Sequence, residues 1–423
     1  MATSSTLSPV GKGERIHALD ALRGFAILGI FVINIRVFSG YSFMMDDLKN
    51  SLLLADWNAA FDWLHTLLFA GKFYTLFSLL FGIGFAIQFI RASSTDRSFT
   101  LHFSRRLFFL LMIGIVHLWG IWFSDILVIY ALCGYVIILF SRFPNMALLG
   151  TAFLVLLLPG AHAWYLNAYE HVYTDYLYTL LSEAWNFMEL PKASEDQYTF
   201  QMRDLVEVIQ SESWSTVFSF NFIGPVLRAY MLALDARILK VLGVFIIGIY
   251  LGRHLMLHKL HENKSALIKI AFTGLIIGLP LNMFIAMDNA TGLEQSSILL
   301  LKDTLTPFAY VSLTMGYVGA FFWLYRSGFQ KTFNLLFSAV GKTALSNYIF
   351  QSILGILLFY DVGLGLGNYF GAAALTIATI LIFGFQIIVS ILWLKRYRFG
   401  PLEWLWRMLT YGRYMTNKKS SRT

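Results

Sequence analysis

Charge is scarce in this 423-residue chain: 13% of it is Asp, Glu, Lys or Arg, about half the share found in soluble domains. Cysteine is scarcer still, with Cys133 alone, which excludes a disulfide framework, a zinc ribbon and a CxxC redox pair. The formal charge of +8 does not point to a nucleic-acid partner, because in a membrane chain the partition of charge between loops outweighs its sum. What is abundant is apolar surface: 57% of the residues are hydrophobic and 17% aromatic. It recurs in runs that match the ~30 Å hydrocarbon core of a bilayer, which takes about 20 residues of helix to cross.

The expected fold is all-α: a polytopic integral membrane protein of about ten transmembrane helices, in the range nine to eleven. The apolar cores are 22–38, 61–90, 107–123, 126–140, 146–164, 239–251, 266–287, 305–325, 344–360 and 372–393. The second is long enough to tilt or project. The first carries Asn34 and Arg36 with no small-residue cleavage site after it, so a retained helix is expected rather than a signal peptide. Sorting charges by alternate sides places 22 Lys and Arg against five acids on one side, and six against 19 on the other. The positive-inside rule makes the first side cytoplasmic, together with both termini.

This divides the chain into a cytoplasmic N-terminus (1–21), a five-helix membrane half (22–164), an extracytoplasmic segment (165–238), a second five-helix half (239–393) and a basic amphipathic cytoplasmic tail (394–423). Residues 215–236 are apolar but contain Pro225 and Arg228, and a separate crossing there would invert every later loop. They are expected to form a re-entrant or interfacial helix. The 165–238 segment reads equally as a lid over a site or as a solvated cover. In the tail, Leu402, Leu405, Trp406 and Leu409 recur at helical spacing beside Arg407 and Arg413. That pattern predicts a helix lying on anionic lipid of the inner leaflet.

Polar side chains inside hydrocarbon cost several kcal/mol unless they face a partner or a cavity, so they are the first candidates for function. Helix one carries Asn34 and Arg36. Helix two carries Asp62, His65 and Lys72, spaced to share a face. Helix three carries His117, and Asp125 follows in the turn eight residues on. Each admits a bland reading: Arg36 pairs structurally with Asp62 or Asp125, His117 is a satisfied core histidine, and Asn347 and Gln351 bond helix to helix. His254, His258 and His261 have metal-compatible spacing but no further ligand beyond Glu262, so no metal site is expected. Gly82 and Gly84 lack the preceding strand of a dinucleotide site and read as helix-packing glycines.

Five ordered segments carry a resemblance: RIHALDALRGFAILGIFVINI at 15–35, GKFYTLFSLLFGIGFAIQF at 71–89, RRLFFLLMIGIVHLWGIWFSDILVIYALCGY at 105–135, GKTALSNYIFQSILG at 341–355 and RFGPLEWLWRMLTYGR at 398–413. Together they resemble the YeiB-like family of bacterial membrane proteins, classed as a domain of unknown function. The opening pattern of Arg15, Leu19, Asp20, Arg23, Gly24 and Ala26 also resembles a wider group of transmembrane acyltransferases. That group includes the lysosomal heparan-glucosaminide N-acetyltransferase. The second resemblance extends to Asn34 and Asp62, but departs at Trp57 and Asn58, where the acetyltransferases place a His just before the pair and this chain has Asp56. If that His is the base, His117 or His65 must replace it.

The resemblance implies a membrane-embedded acyltransferase of the bacterial cytoplasmic (inner) membrane, moving an acyl group from a cytoplasmic donor to a small or envelope acceptor outside. His117 is the expected base, oriented by Asp125, with His65 the other candidate. Asn34, Arg36, Asp62, Lys72 and Gln351 are the expected substrate or donor contacts. No bound cofactor is expected; acyl-coenzyme A is the expected donor, held by Arg91, Arg97, Arg105 and Arg106. The partners are the bilayer, anionic lipid at the tail and a small-molecule substrate. Two rival readings use the same residues differently. A transporter of a small polar or anionic solute makes Arg36, Lys72, His117 and Asp125 its path; a non-catalytic membrane component uses the basic tail.

Overall fold

The computed structural model describes residues 17–92, 96–169, 172–194, 199–257, 260–291 and 296–419. Among these there are helices and two isolated β-bridges, with no extended sheet. The helices are α1 (His17–Phe38), α2 (Asn58–Leu68), α3 (Lys72–Arg91), α4 (Asp96–Gly120), α5 (Leu127–Ile137), α6 (Asn145–Ala168), α7 (Val172–Phe187), α8 (Asp204–Ile209), α9 (Trp214–Leu234), α10 (Arg237–Leu257), α11 (Lys264–Thr291), α12 (Ser296–Leu324), α13 (Ala344–Phe359), α14 (Ala372–Arg396) and α15 (Pro401–Tyr411). Nine helical stretches among the described residues are long and apolar enough to cross a membrane, and two shorter ones, Leu127–Phe140 and Ala344–Phe359, are apolar as well. The protein is thus an all-α, multi-pass membrane protein. Its cores hold packed aromatic and aliphatic side chains with Arg36, Lys72, His117 and Asp125 buried among them.

The long apolar run at 61–90 is not one helix. It breaks at Gly71, whose φ of +85° suits a residue without a Cβ. Broken helices survive at membrane depth only when neighbours satisfy the freed backbone groups, and that happens here. Lys72 Nζ donates to the Thr66 carbonyl at 2.7 Å, Tyr317 Oη to that of Leu68 at 2.9 Å, and Thr314 Oγ1 to that of Lys72 at 3.0 Å. Below the break, α3 runs parallel to α10 in close contact: a Cβ added to Gly82 would stand 2.2 Å from the Phe245 carbonyl oxygen. In lipid, where no hydrophobic force drives helices together, such close backbone approach supplies the packing energy. Gly82 therefore behaves as its spacing suggested, whereas Gly84 has no neighbour within 4 Å.

Residues 215–236, expected as a re-entrant or interfacial helix, fall in α9, a continuous helix of 21 residues that is among the nine long and apolar enough to cross a membrane. α9 packs on α7 and on the C-terminal end of α4, and contacts α10 little although Asp235 and Ala236 alone separate them. The tail stripe is also divided. Leu402 and Trp406 of α15 turn inward onto the core, while Leu405 and Leu409 stay exposed. So half of a face read as lipid-binding is spent on the protein's own helices, because α15 docks on α4 and α13. Its Glu403 accepts hydrogen bonds from the backbone N–H groups of Leu345 (2.7 Å) and Ser346 (3.1 Å) and from Ser346 Oγ (2.6 Å). These occupy donors that the first turn of α13 would otherwise leave free.

Candidate functional site

α4 ends at Gly120 and the chain turns back through 121–126 into α5. That reversal brings Asp125 under the last turn of α4, which a continuous helix could not do with the same geometry. Asp125 Oδ1 accepts the Val128 N–H at 2.8 Å at the start of α5, and Oδ2 meets His117 Nδ1 at 2.8 Å. On its other side, His117 Nε2 lies 2.9 Å from Ser352 Oγ of α13. All three are sealed, with exposures of 0–1% for His117 and Asp125 and 0% for Ser352. An ionised carboxylate only accepts, so an ionised Asp125 selects the tautomer with the ring proton on Nδ1, in which Nε2 presents a lone pair to the serine hydroxyl. The order carboxylate, imidazole, hydroxyl is the geometry that polarises an alcohol toward a base.

The surroundings of this relay are polar but incompletely satisfied. The buried Trp122 Nε1 has no hydrogen-bond partner, and the Trp122 and Tyr348 rings border His117, with centroids 6.4 and 5.1 Å away. A buried donor costs about 1–3 kcal/mol when left dry. The turn above is held by α9: Asn221 Nδ2 donates to the Ile121 carbonyl at 3.2 Å, and Arg228 Nε to that of Asp125 at 3.0 Å. α9 thus packs against the turn that carries Asp125.

The other charged candidates form separate groups. Arg36 pairs with Asp62, whose other oxygen accepts the Tyr41 hydroxyl at 3.0 Å, and the guanidinium lies over the Tyr41 ring. His65 stands in the field of Arg36 and Lys72, and its Nε2 is buried without a partner. Lys72, 1% exposed, is committed to the Thr66 carbonyl at the C-terminal end of α2 and to the face of Tyr310 at 4.7 Å. There its charge favours the negative end of the helix dipole. Asn34 is half-buried and makes no side-chain hydrogen bond among the described residues. Gln351 Nε2 donates to Gln386 Oε1 at 2.9 Å, and Asn347 Nδ2 to Ser390 Oγ at 3.0 Å, so both join α13 to α14. Among the described residues no hydrogen bond links Arg36, Asp62, His65 or Lys72 to His117.

Arg15 and His258, and the side chain of Arg97, lie outside the described residues. Among the described ones no three His, Cys, Asp or Glu side chains converge as metal ligands. Sequence reasoning missed Ser352. A lone serine on an apolar helix carries little signal, and its significance comes from sharing the helix face of Tyr348 and Gly355, which meets His117 and Phe38.

An all-α multi-pass bundle with a buried carboxylate, imidazole and hydroxyl in line defines the class of the molecule. Residues 251–413 match the family described as Protein of unknown function (DUF418). It is 29% identical over 416 residues to the uncharacterized protein YxaH of Bacillus subtilis, covering 96% of this chain and 97% of that one. It is also 29% identical over 409 residues to the uncharacterized protein YeiB of Escherichia coli, covering 94% and 96%. The relatives are bacterial. No solved structure matches the chain.

Proposed function

We propose that this protein is an acyltransferase embedded in the bacterial cytoplasmic membrane, with His117 as its general base and Asp125 holding the imidazole in the competent tautomer. The observation that carries this reading is the unbroken run from Asp125 Oδ2 through His117 to a hydroxyl at 2.9 Å. A base so placed removes a proton from an attacking hydroxyl or amine as the acyl carbon is approached. Trp122 Nε1 is an unspent donor on a ring that borders the imidazole, suited to an oxygen that gains negative charge. The donor is an activated acyl compound such as acyl-coenzyme A, arriving from the basic face, and the acceptor lies on the opposite side.

Arg36 and Lys72 drop out of the reacting set in this reading. Each is already matched by Asp62 or by a carbonyl and a ring. The test is transfer of label from radiolabelled acyl-coenzyme A to envelope extract by purified protein in lipid nanodiscs, with His117→Ala as control. Transfer by wild type and its loss in the variant are expected; equal transfer by both removes His117 as base. Solute uptake into vesicles that survives loss of transfer would favour the transporter reading.

A further inference from the structure

We infer that Ser352 is a nucleophile that carries the acyl group between two half-reactions, so that transfer proceeds through an acyl-serine on α13. This rests on the acyl-transfer reading above but goes beyond a base acting directly on the acceptor.

Three observations converge on it. First, the hydroxyl nearest the base belongs to the protein itself: Ser352 Oγ stands 2.9 Å from His117 Nε2 and 3.4 Å from the Tyr348 carbonyl, its other acceptor. The shorter contact is to the lone pair of the base, so the hydroxyl hydrogen is directed there and an oxygen lone pair is left for carbon. Second, the base is itself oriented. Asp125 is fixed by the Val128 N–H and by the roof from Arg228, so the imidazole cannot turn without breaking a buried charge-assisted bond. A serine that merely filled space between α4 and α13 would need neither the tautomer nor the anchored carboxylate. Third, the Trp122 ring borders the same imidazole and its buried Nε1 has no partner. Native folds leave few buried donors unpaired, so one next to the relay calls for an absent polar guest.

The two half-reactions balance. In the first, Ser352 Oγ bonds to the acyl carbon of a thioester, His117 Nε2 takes the serine proton, and the C–S bond breaks. The departing thiolate takes that proton from His117. In the second, an acceptor hydroxyl or amine gives its proton to His117 Nε2 and bonds to the acyl carbon. The bond from that carbon to Ser352 Oγ then breaks, and His117 returns the proton to the serine. Nothing is oxidised or reduced. Because Ser352 is sealed, the α9 roof must shift for the acyl group to enter.

The experiment uses the full chain in nanodiscs with acetyl-coenzyme A, without acceptor, followed by acid quench and mass spectrometry of the peptide bearing Ser352. A parallel sample is treated with a fluorophosphonate, which needs no knowledge of the donor. Expected are an acetyl adduct and a phosphonyl adduct at Ser352, both absent in Ser352→Ala and slowed at least a hundredfold in His117→Gln. Adding acceptor should discharge the acetyl adduct. Ser352→Cys, in which the fold is least disturbed, should trap a hydroxylamine-labile thioester. If wild type transfers label but Ser352 bears neither adduct, and Ser352→Ala transfers at the wild-type rate while His117→Ala does not, the intermediate is wrong and the base stands. If neither adduct nor transfer occurs, the intermediate and the acyl-transfer reading both fall.

Discussion

Two groups of polar side chains sit among the apolar helices, and they are organised differently. Around Arg36 and Lys72 every cation is met on the spot: a carboxylate for one, a carbonyl and an aromatic face for the other. Around His117 the groups are ordered, each passing its demand to the next, and the run ends on a hydroxyl, with the unpaired Trp122 Nε1 on a ring that borders the imidazole. Asp62 is 38% exposed whereas Asp125 is 1% exposed, so water screens the first carboxylate and not the second. The difference teaches that a charge in a bilayer signals a need for a partner, while direction among partners signals chemistry.

The largest expected effect separates the two groups most sharply. Asp125→Asn keeps the shape and the Val128 contact, but offers an N–H to His117 Nδ1 and forces the proton onto Nε2, where it blocks the base. Acyl transfer should fall by roughly 10²–10⁴-fold with little change in melting temperature, as measured by initial rates and thermal unfolding in detergent. An unaltered rate would put the relay on the same footing as the Arg36 pair. The next effect concerns stability. Arg36→Ala strips Asp62 of its cation but leaves the Tyr41 hydrogen bond, and should cost about 1–3 kcal/mol while transfer continues. Loss of transfer at unchanged stability would move Arg36 into the reacting set.

Lys72→Met, similar in volume and lacking the charge, should be close to neutral in stability, since replacing a buried ion by an apolar isostere often is. Transfer at near the wild-type rate is expected; abolished transfer would erase the contrast drawn here. The smallest effect lies outside both groups, at Glu403. Burial raises its pKa, against the opposing hydrogen bonds from Ser346 and Leu345. A carboxyl raised by folding favours the folded state while it is protonated, and that contribution fades as pH climbs through the folded-state value. Glu403→Gln should therefore flatten the decline of melting temperature as pH rises above the ordinary carboxylate range, by differential scanning fluorimetry.

Much of this architecture is legible in the sequence because the bilayer imposes simple constraints. Apolar run length gives α1, α6, α11, α13 and α14 within about five residues of their observed bounds, whereas α4 and α12 begin well before the runs at 107–123 and 305–325. The break before Lys72 is less legible: Gly71 is one glycine among many, and what stabilises the break comes from Thr314 and Tyr317, more than 240 residues away. The tail shows the same limit. A hydrophobic stripe predicts that a face is buried, and only packing decides whether lipid or α4 buries it.

By itself the sequence determined that the molecule is an all-α, multi-pass membrane protein and offered His117 with Asp125 as one pairing among others, because hydropathy and short spacing are local properties. Tertiary structure alone decided that Ser352 completes the relay and that Lys72 belongs to a helix break. Those facts depend on contacts between helices distant in sequence, where one serine differs from its neighbours only by the imidazole it faces.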